Sequence, residues 1–190
     1  MLKDIIVKNR SYRRFRQDFA IGREILTELV ELARNSASAG NVQPLKYILV
    51  NDPDKNSQVF KTLSWAAYLK DWNGPAEGER PSAYIIILGD TSITTNFFCD
   101  HGIAAQSILL GAAEKDMGGC IVANIRKEEL RVTMNIPVQF EILLVIALGK
   151  PVETVKIEDL PDTGDYKYWR DQEMVHHVPK RSLHSIILPF

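Results

Sequence analysis

Two apolar runs constrain the fold of this chain more than any other feature: AYIIIL at 83–88 and ILLVIALG at 142–149. Each has the length of a β-strand and lacks the apolar–polar alternation of a strand with one face in water. Such strands lie inside a sheet that is covered on both faces. Helices are the elements that cover a sheet in this way.

The rest of the sequence alternates between helical and strand patterns. The segment 92–116 is the longest helical candidate, and it is apolar around most of its circumference, which is typical of a central helix or a subunit interface. The pair Gly118-Gly119 is interpreted as the end of this helix. Further strands are predicted at 46–50 and 120–125, and further helices at 2–6, 23–36, 54–63 and 126–135.

Two segments have less regular patterns. Residues 65–81 begin like a helix and change to a loop after Trp72, where Gly, Pro and charged residues accumulate. Residues 150–178 are polar and are interpreted as an extended arm, followed by a short helix and an apolar tail at 186–190 that must dock, for example on a partner subunit. We therefore expect one domain over 1–190, with 150–190 as its C-terminal arm, in an α/β or α+β fold.

Charge and cysteine content exclude several classes of protein. The 190 residues carry a formal net charge of -1, which argues against a nucleic-acid partner. The longest apolar run has seven residues, far fewer than the ~20 of a membrane-spanning helix, and no secretory signal is visible, so we expect no membrane partner. Only Cys99 and Cys120 carry thiols, which excludes a disulfide framework and favours a cytoplasmic protein.

The strongest chemical signal is the basic run KNRSYRRFR at 8–16, in which five Lys and Arg residues surround one serine. Arginine presents planar sets of N–H donors that suit phosphate and carbonyl oxygens, and the serine adds a hydroxyl. Two interpretations are open at this point: a phosphate cradle, or a solvated basic face that follows a short helix.

Two loops offer polar groups for a flat ligand. In SASAGNVQP at 36–44, small residues allow close approach of the backbone, and the amides of Asn41 and Gln43 suit the edge of a heteroaromatic ring. Ala123 and Asn124 end a predicted strand, where ligand contacts are common. Either segment could also be an ordinary connection.

The C-terminal segment HHVPKRSL at 176–183 places Lys180 and Arg181 at the start of a predicted helix, where an anion is favoured. The adjacent His176 and His177 diverge on a strand or helix, so we expect no metal site. The absence of HExxH, GxSxG, Walker A and GxGxxG motifs gives no catalytic nucleophile and argues against a Rossmann dehydrogenase.

In this order and spacing, these pieces resemble the nitroreductase family of FMN-dependent NAD(P)H oxidoreductases. The resemblance covers nearly the whole chain, including GIAAQSILLGAAEKDMGGC at 102–120, which is similar to the family's long interface helix and its exit. The other matching residues are Arg10-Ser11-Tyr12-Arg13, Ser38 to Pro44, Gly118-Gly119-Cys120 with Ala123-Asn124, and Pro179-Lys180-Arg181.

The resemblance implies an α+β fold: a central mixed β-sheet flanked by helices, a long central interface helix, and a C-terminal arm that crosses to the partner of a homodimer. It also implies two FMN sites at the subunit interface. The residues that it assigns to the phosphate are Arg10, Ser11, Lys180 and Arg181. Around the flavin ring it places Arg13 at the pyrimidine edge, Ser38 and Asn41 from the other subunit, and the backbone of Ala123 and Asn124 near N5.

The chain departs from the family pattern in several places. Asn9 stands where many relatives have a first arginine, Ala123-Asn124 replaces the acidic-glycine or double-glycine pair near N5, and Lys180 and Arg181 are adjacent rather than spaced by one residue. An inserted helical excursion is missing, so the substrate pocket is assigned to 65–80. Its candidate walls are Trp65, Tyr68, Trp72 and Asn73.

The expected activity is transfer of hydride from NAD(P)H through flavin N5 to an electron-poor small molecule such as a nitroaromatic, a quinone or a flavin. No side-chain acid or base is required, because the flavin carries the chemistry and the protein supplies position and charge. Three alternatives stay open: a specialised flavin reaction on the same scaffold, such as enone reduction or dehalogenation; a non-catalytic flavin-binding protein; and a basic interaction module without cofactor.

Overall fold

The computed structural model describes residues 1–189, and over that range it contains six α-helices, one short 3-10 helix at Ala39–Asn41 and eight strands. Four helices flank the main sheet and two short ones lie near the ends of the chain. In chain order the elements are α1 (Leu2–Lys8), β1 (Phe15–Arg16), α2 (Arg23–Arg34), β2 (Leu45–Val50), α3 (Pro53–Lys61), β3 (Ala83–Asp90), α4 (Asp100–Glu114), β4 (Gly118–Val122), α5 (Lys127–Met134), β5 (Phe140–Pro151), β6 (Val155–Asp159), β7 (Trp169–Arg170), β8 (His176–Lys180) and α6 (Leu183–Ile186).

The two apolar runs form the centre of a five-stranded sheet. Strand β5 lies beside β3, and the sheet continues from β3 to β2, while β1 and β4 both pair with β5. All of these pairs are antiparallel, and Ala83 and Gly119 both lie opposite Leu148 on the two sides of β5. Parallel pairing occurs between β6 and β8 of a second, three-stranded sheet, so the α+β fold combines both kinds of pairing.

Both faces of the main sheet are covered, as the uninterrupted apolar runs predict. Successive side chains of a strand point to opposite faces, so Ile85 and Ile87 pack into one core with α2 and α4. Tyr84 and Ile86 pack into a second core with α3 and α5. Every residue of β3 is buried, which is the physical reason for its lack of polar alternation.

The predicted helix 92–116 is wrong at its start. Helix α4 begins at Asp100, and Phe98 has a left-handed backbone conformation with φ 44°. Phe97 instead packs its ring directly against Gly89, where a Cβ would overlap it. Burial of this aromatic ring against β3 therefore outweighs continuation of the helix.

The interpretation of Gly118-Gly119 as a helix end is also wrong. Both glycines lie inside β4, which ends at Val122 rather than at 125. A Cβ on Gly118 would meet the ring of Tyr12, and one on Gly119 would meet Leu109 at 2.7 Å. These glycines are required because other elements contact the backbone of β4 closely.

The helix-like start at 65–72 is not a helix in the structure. The segment forms turns, because Trp65 packs on Phe60 at 5.7 Å between ring centroids and anchors the chain on the core. Gly74, with φ 111°, lies so close to the Trp65 ring that a Cβ would come within 2.7 Å of it. Tertiary packing of one aromatic side chain therefore sets the course of this segment.

The polar segment 150–178 is more ordered than an extended arm. It contains β6 and β7, and β8 lies between them. The helix α6 forms as expected, and the residues from Lys180 to Pro189 are exposed. Phe190, the last residue of the predicted apolar tail, lies outside the described residues. Within residues 1–189, no helix combines the length and apolar character needed to cross a bilayer.

Candidate functional site

The loop between α1 and β1 lies along the edge of β4. The Tyr12 N–H donates to the Gly119 carbonyl at 3.0 Å, and Ser11 forms a parallel bridge to Gly119. The Tyr12 hydroxyl donates to the Lys8 carbonyl at 2.9 Å, and burial raises the pKa of this phenol. The close approach permitted by Gly118 and Gly119 therefore fixes the basic run against the main sheet.

The basic run borders a cavity of about 300 Å³, here called the basic cavity. Its wall combines residues from the two ends of the chain with residues of α4 and β4. Its lining residues are Asn9, Arg10, Ser11, Arg13, Gln106, Leu109, Ile121, Tyr168, His176, Val178 and Lys180. The structure thus brings together four of the predicted cofactor residues, Arg10, Ser11, Arg13 and Lys180.

Among residues 1–189, three cations and no carboxylate line the basic cavity. The Arg10 Nη2 donates to the Ile6 carbonyl at 2.6 Å, whereas its buried Nε has no hydrogen-bond partner in the described chain. The Arg13 guanidinium lies 4.8 Å from the centroid of the Tyr168 ring and donates to the Ser11 carbonyl at 3.1 Å. The cavity is therefore electropositive, and some hydrogen-bond donors of its arginines, such as Arg10 Nε, have no partner in the described chain.

Two other arginines near the cavity are occupied by carboxylates. Arg14 binds Glu79 through two hydrogen bonds of 2.7 and 2.6 Å, and this pairing raises the pKa of Arg14 and lowers that of Glu79. Arg170 contacts the buried Glu153 at 2.9 Å. Glu153 also accepts from the backbone N–H groups of Arg13 and Arg14. These ion pairs hold the basic run in place, and no carboxylate of the described chain forms a salt bridge with the side chain of Arg10 or Arg13.

His176 is almost completely buried in the wall of the basic cavity, with 1% of its surface exposed. Burial and the charge of Arg13 lower its pKa to about 4, so the ring is neutral at pH 7. The Arg13 Nη1 lies 3.2 Å from His176 Nε2. Because a guanidinium can only donate, Nε2 accepts and the proton resides on Nδ1, which has no partner in residues 1–189.

The predicted loop 36–44 lies at a different cavity, of about 170 Å³, which is lined by Ser38 and Gln43. The buried Asp100 accepts from the Ser38 hydroxyl at 2.6 Å and from the Ala39 N–H at 3.0 Å. Asn41 is exposed, and both Asn41 and Gln43 adopt positive φ, 56° and 53°. Within one chain, this loop and the basic cavity have no lining residue in common.

The remaining predicted cofactor residues lie on the surface. Ala123 and Asn124 are exposed just after β4, and the Asn124 carbonyl accepts from the Ser64 N–H at 3.0 Å. Arg181 is exposed after β8 and is absent from the cavity lining, unlike its neighbour Lys180. The adjacent basic pair therefore contributes one cation to the cavity.

The four predicted substrate residues do not line the basic cavity. Tyr68 contacts the wall of this cavity, because its ring centroid lies 5.0 Å from that of Tyr168. Trp72 lies 4.3 Å beneath the Arg170 guanidinium. Trp65 packs on the core as described above, and Asn73 is exposed.

Sequence reasoning missed the residues that close the basic cavity from the C-terminal side, Tyr168 and His176. The signal for His176 was its place in the HHVPK motif, because alternate residues of a strand share a face. His176, Val178 and Lys180 are such alternate residues, and all three line the cavity. Tyr168 carries no local signal. It reaches the cavity only because β7 pairs with β8.

The sequence pattern described as "Nitroreductase family" matches residues 6–150, about three quarters of the chain. This chain belongs to the nitroreductase family. It is accordingly an oxidoreductase, and the predicted family and α+β fold are confirmed.

Individual relatives are distant in sequence but similar over most of their length. "Putative NAD(P)H nitroreductase MhqN" of Bacillus subtilis strain 168 is 25% identical over 187 residues, covering 77% of this chain and 86% of that protein. "Putative NADH dehydrogenase/NAD(P)H nitroreductase" of Methanothermobacter thermautotrophicus is 28% identical over 175 residues, covering 87% and 86%.

Solved structures show the same fold. A nitroreductase family protein from Clostridium novyi NT has a TM-score of 0.65 at 19% identity and covers 94% of both chains. Another from Streptococcus pneumoniae TIGR4 has a TM-score of 0.67 at 17% identity, covering 82% of this chain and 93% of its own.

Proposed function

We propose that this chain is an FMN-dependent oxidoreductase that takes hydride from NAD(P)H and transfers it to an electron-poor small molecule. The observation that carries the proposal is the basic cavity, where Arg10, Ser11, Arg13 and Lys180 converge and no carboxylate of the described chain joins them. The NAD(P)H-related names of the sequence relatives support the choice of electron donor.

The donor set of the basic cavity fits the phosphate of FMN. The buried Arg10 Nε lacks a partner, and the Ser11 hydroxyl and the Lys180 ammonium lie in the same wall. Charged donors form the strongest hydrogen bonds to phosphate oxygens, and removal of water from the cavity strengthens them further. We assign phosphate binding to these three residues, with Arg181 as an exposed neighbour.

Arg13 and His176 suit the polar edge of a flavin ring. When bound, FMN would supply the hydride chemistry. Arg13 would hold a positive charge at the polar edge of the ring, since its guanidinium is held by Tyr168 and by His176 Nε2 and by no carboxylate of the described chain. His176, which lines the same wall, is a neutral side chain whose buried Nδ1 has no partner in residues 1–189.

We further propose that the active form is a homodimer, in which Ser38, Asn41 and Gln43 of one subunit complete the basic cavity of the other. Within one chain, the loop 36–44 does not line the basic cavity, so only the loop of a second copy of the chain could complete that cavity. Helix α1 buries none of its residues, although Leu2 and Val7 are apolar and 66% and 52% exposed. An exposed apolar helix beside the basic run suits a subunit interface.

Two finer assignments accompany this proposal. The turns at 65–73 lie beside the Tyr168 wall through Tyr68, so we assign them to the substrate side of the site. Asn124, just past the end of β4, is assigned to flavin N5.

Both Cys99 and Cys120 are free, which supports a reducing compartment such as the cytoplasm.

The proposal is tested by loading the purified protein with FMN and then removing free flavin by gel filtration. We expect retention of one FMN per chain, visible as the absorption of oxidised flavin, and bleaching of that band under anaerobic conditions on addition of NADH or NADPH. Reoxidation by a nitroaromatic or a quinone identifies the acceptor class. A protein that neither retains FMN nor is bleached by either nucleotide would contradict the proposed function.

A further inference from the structure

A second cavity, of about 370 Å³, lies between α3, the start of β3 and the segments 17–20 and 77–81; it is here called the Arg80 cavity. It has no lining residue in common with the basic cavity. Its lining residues are Gln17, Asp18, Ala20, Asn51, Pro53, Asn56, Ser57, Phe60, Glu77, Arg80, Pro81, Ser82 and Tyr84. Nothing in the proposed flavin chemistry uses them.

Four buried polar atoms without hydrogen-bond partners belong to residues that line this cavity. They are Asn56 Oδ1, Arg80 Nε, Ser82 Oγ and Tyr84 Oη. Asn56, Ser82 and Tyr84 are 9%, 7% and 0% exposed. Buried polar groups are almost always satisfied, and an unsatisfied one destabilises a protein by about 1–3 kcal/mol. Four such atoms on residues that line one cavity therefore indicate groups that a ligand can satisfy once the side chains of the wall turn towards it.

The chemistry of these atoms defines what would satisfy them. Burial raises the pKa of Tyr84, so its hydroxyl stays protonated and can donate. The Ser82 hydroxyl and Arg80 Nε are further donors, and Asn56 Oδ1 is an acceptor, because Asn56 Nδ2 already donates to the Ser82 carbonyl at 2.7 Å. Three donors including one cation suit a carboxylate, and the single acceptor suits an N–H group.

The charges at the cavity support a ligand that carries both signs. Arg80 stacks 4.6 Å above the Phe60 ring, and no carboxylate of the described chain forms a salt bridge with it. Glu77 lines the cavity and is exposed at its rim, while Asp18 lies 3.4 Å from Arg16. One cation and one carboxylate that form no salt bridge within residues 1–189, around a single cavity, complement a zwitterion better than a simple anion.

We propose that the Arg80 cavity is a binding site for a free α-amino acid. Arg80, Ser82 and Tyr84 bind its carboxylate, and Asn56 accepts from its ammonium group, with Glu77 at the rim adding attraction. The apolar walls of Phe60 and the neighbouring prolines, Pro53 and Pro81, leave room for the side chain.

The site is tested by isothermal calorimetry and thermal unfolding of the full-length protein with each of the twenty L-amino acids. Concentrations up to about 10 mM detect dissociation constants near 1 mM. We expect saturable binding of at least one. Its analogues without the ammonium and without the carboxylate should each bind at least tenfold more weakly; for L-leucine these are 4-methylpentanoate and 3-methylbutylamine.

Variants separate the site from adventitious binding. Tyr84→Phe removes only a hydroxyl that has no partner in the described chain, so the protein should fold as before. The affinity should fall about tenfold, the value of one lost hydrogen bond. Arg80→Gln should lose more. Tyr47→Phe, on a tyrosine outside this cavity, is the matched control and should bind as the parent does.

Three results would each overturn the proposal: no saturable binding of any amino acid, equal affinity in Tyr84→Phe and the parent, or analogues that bind as tightly as the amino acid. The first would mean that the cavity holds water only. Because the measurements need no electron transfer, they stand apart from the flavin proposal. Loss of FMN binding would leave them interpretable.

Discussion

Substitution of Arg10 by glutamine is the sharpest test of the basic cavity. Arg10 is half-buried, lines the cavity and has one side-chain hydrogen bond, to the Ile6 carbonyl at 2.6 Å. The change removes the positive charge and the unpartnered Nε while keeping most of the volume. Because no carboxylate of the described chain pairs with Arg10, the change leaves no buried charge behind.

The magnitudes follow from these contacts. Loss of a charge-assisted hydrogen bond to phosphate weakens binding by about 1.5–3 kcal/mol, which corresponds to roughly a 10- to 150-fold rise in the Kd for FMN. The free energy of unfolding loses only the hydrogen bond from the charged guanidinium to the Ile6 carbonyl, about 1–2 kcal/mol, because this contact is exposed to solvent. The variant should therefore fold normally and fail to retain FMN.

The assay is quenching of FMN fluorescence for affinity and urea unfolding for stability, with Arg16→Gln as the matched control. Arg16 belongs to the same basic run, but its side chain is 59% exposed and it does not line the cavity. Its Kd should change less than threefold at an ionic strength of about 0.15 M, where surface charges are screened. Equal losses in both variants would show general attraction by the basic run and refute the assignment.

Three further outcomes follow from the contacts described above. Gly118→Ala should destabilise the protein by about 1–3 kcal/mol in urea unfolding, because its Cβ would overlap the Tyr12 ring. Gly102→Ala, at an open helical position, is the control and should be neutral or stabilising. Equal effects of the two substitutions would contradict the packing argument. Glu153→Gln should lower the free energy of unfolding by about 3–5 kcal/mol, because it leaves the buried Arg170 without its carboxylate. A loss below about 1 kcal/mol would show that this ion pair is not needed for stability. His176 has a folded pKa of about 4 against 6.5 unfolded, so its contribution to stability is complete above pH 6.5 and falls as the pH drops towards 4. His176→Gln should flatten urea-unfolding free energies over that range, and an unchanged slope would exclude His176 as its source.

Much of the fold could be predicted from local pattern. Strands β3 and β5 were predicted within three residues of their observed ends, because an uninterrupted apolar run must be buried on both faces. The helices α2, α3 and α5 follow the 3.6-residue period and lie where they were expected. The errors occurred where a single side chain packs over a long distance, as Phe97 does on Gly89 and Trp65 on the core.

The candidate site was less accessible to sequence reasoning. Arg10 and Arg13 share a short motif, so their proximity is local. Lys180, Tyr168 and His176 reach the same cavity from more than 150 residues away. Two tertiary contacts bring these three residues to the cavity. Strand β7 pairs with β8, and the Glu153–Arg170 ion pair fixes this segment against the basic run.

By itself, the sequence determined that the chain forms a covered central sheet and carries a concentrated run of cations, since hydropathy and charge are properties of the residues. Only the tertiary structure decided which cations are available. Arg14 is bound to Glu79 and Arg16 faces solvent, whereas Arg10 and Arg13 face the cavity with Lys180. The physical reason is that neutralisation depends on which carboxylate lies within about 4 Å, and folding alone sets that distance.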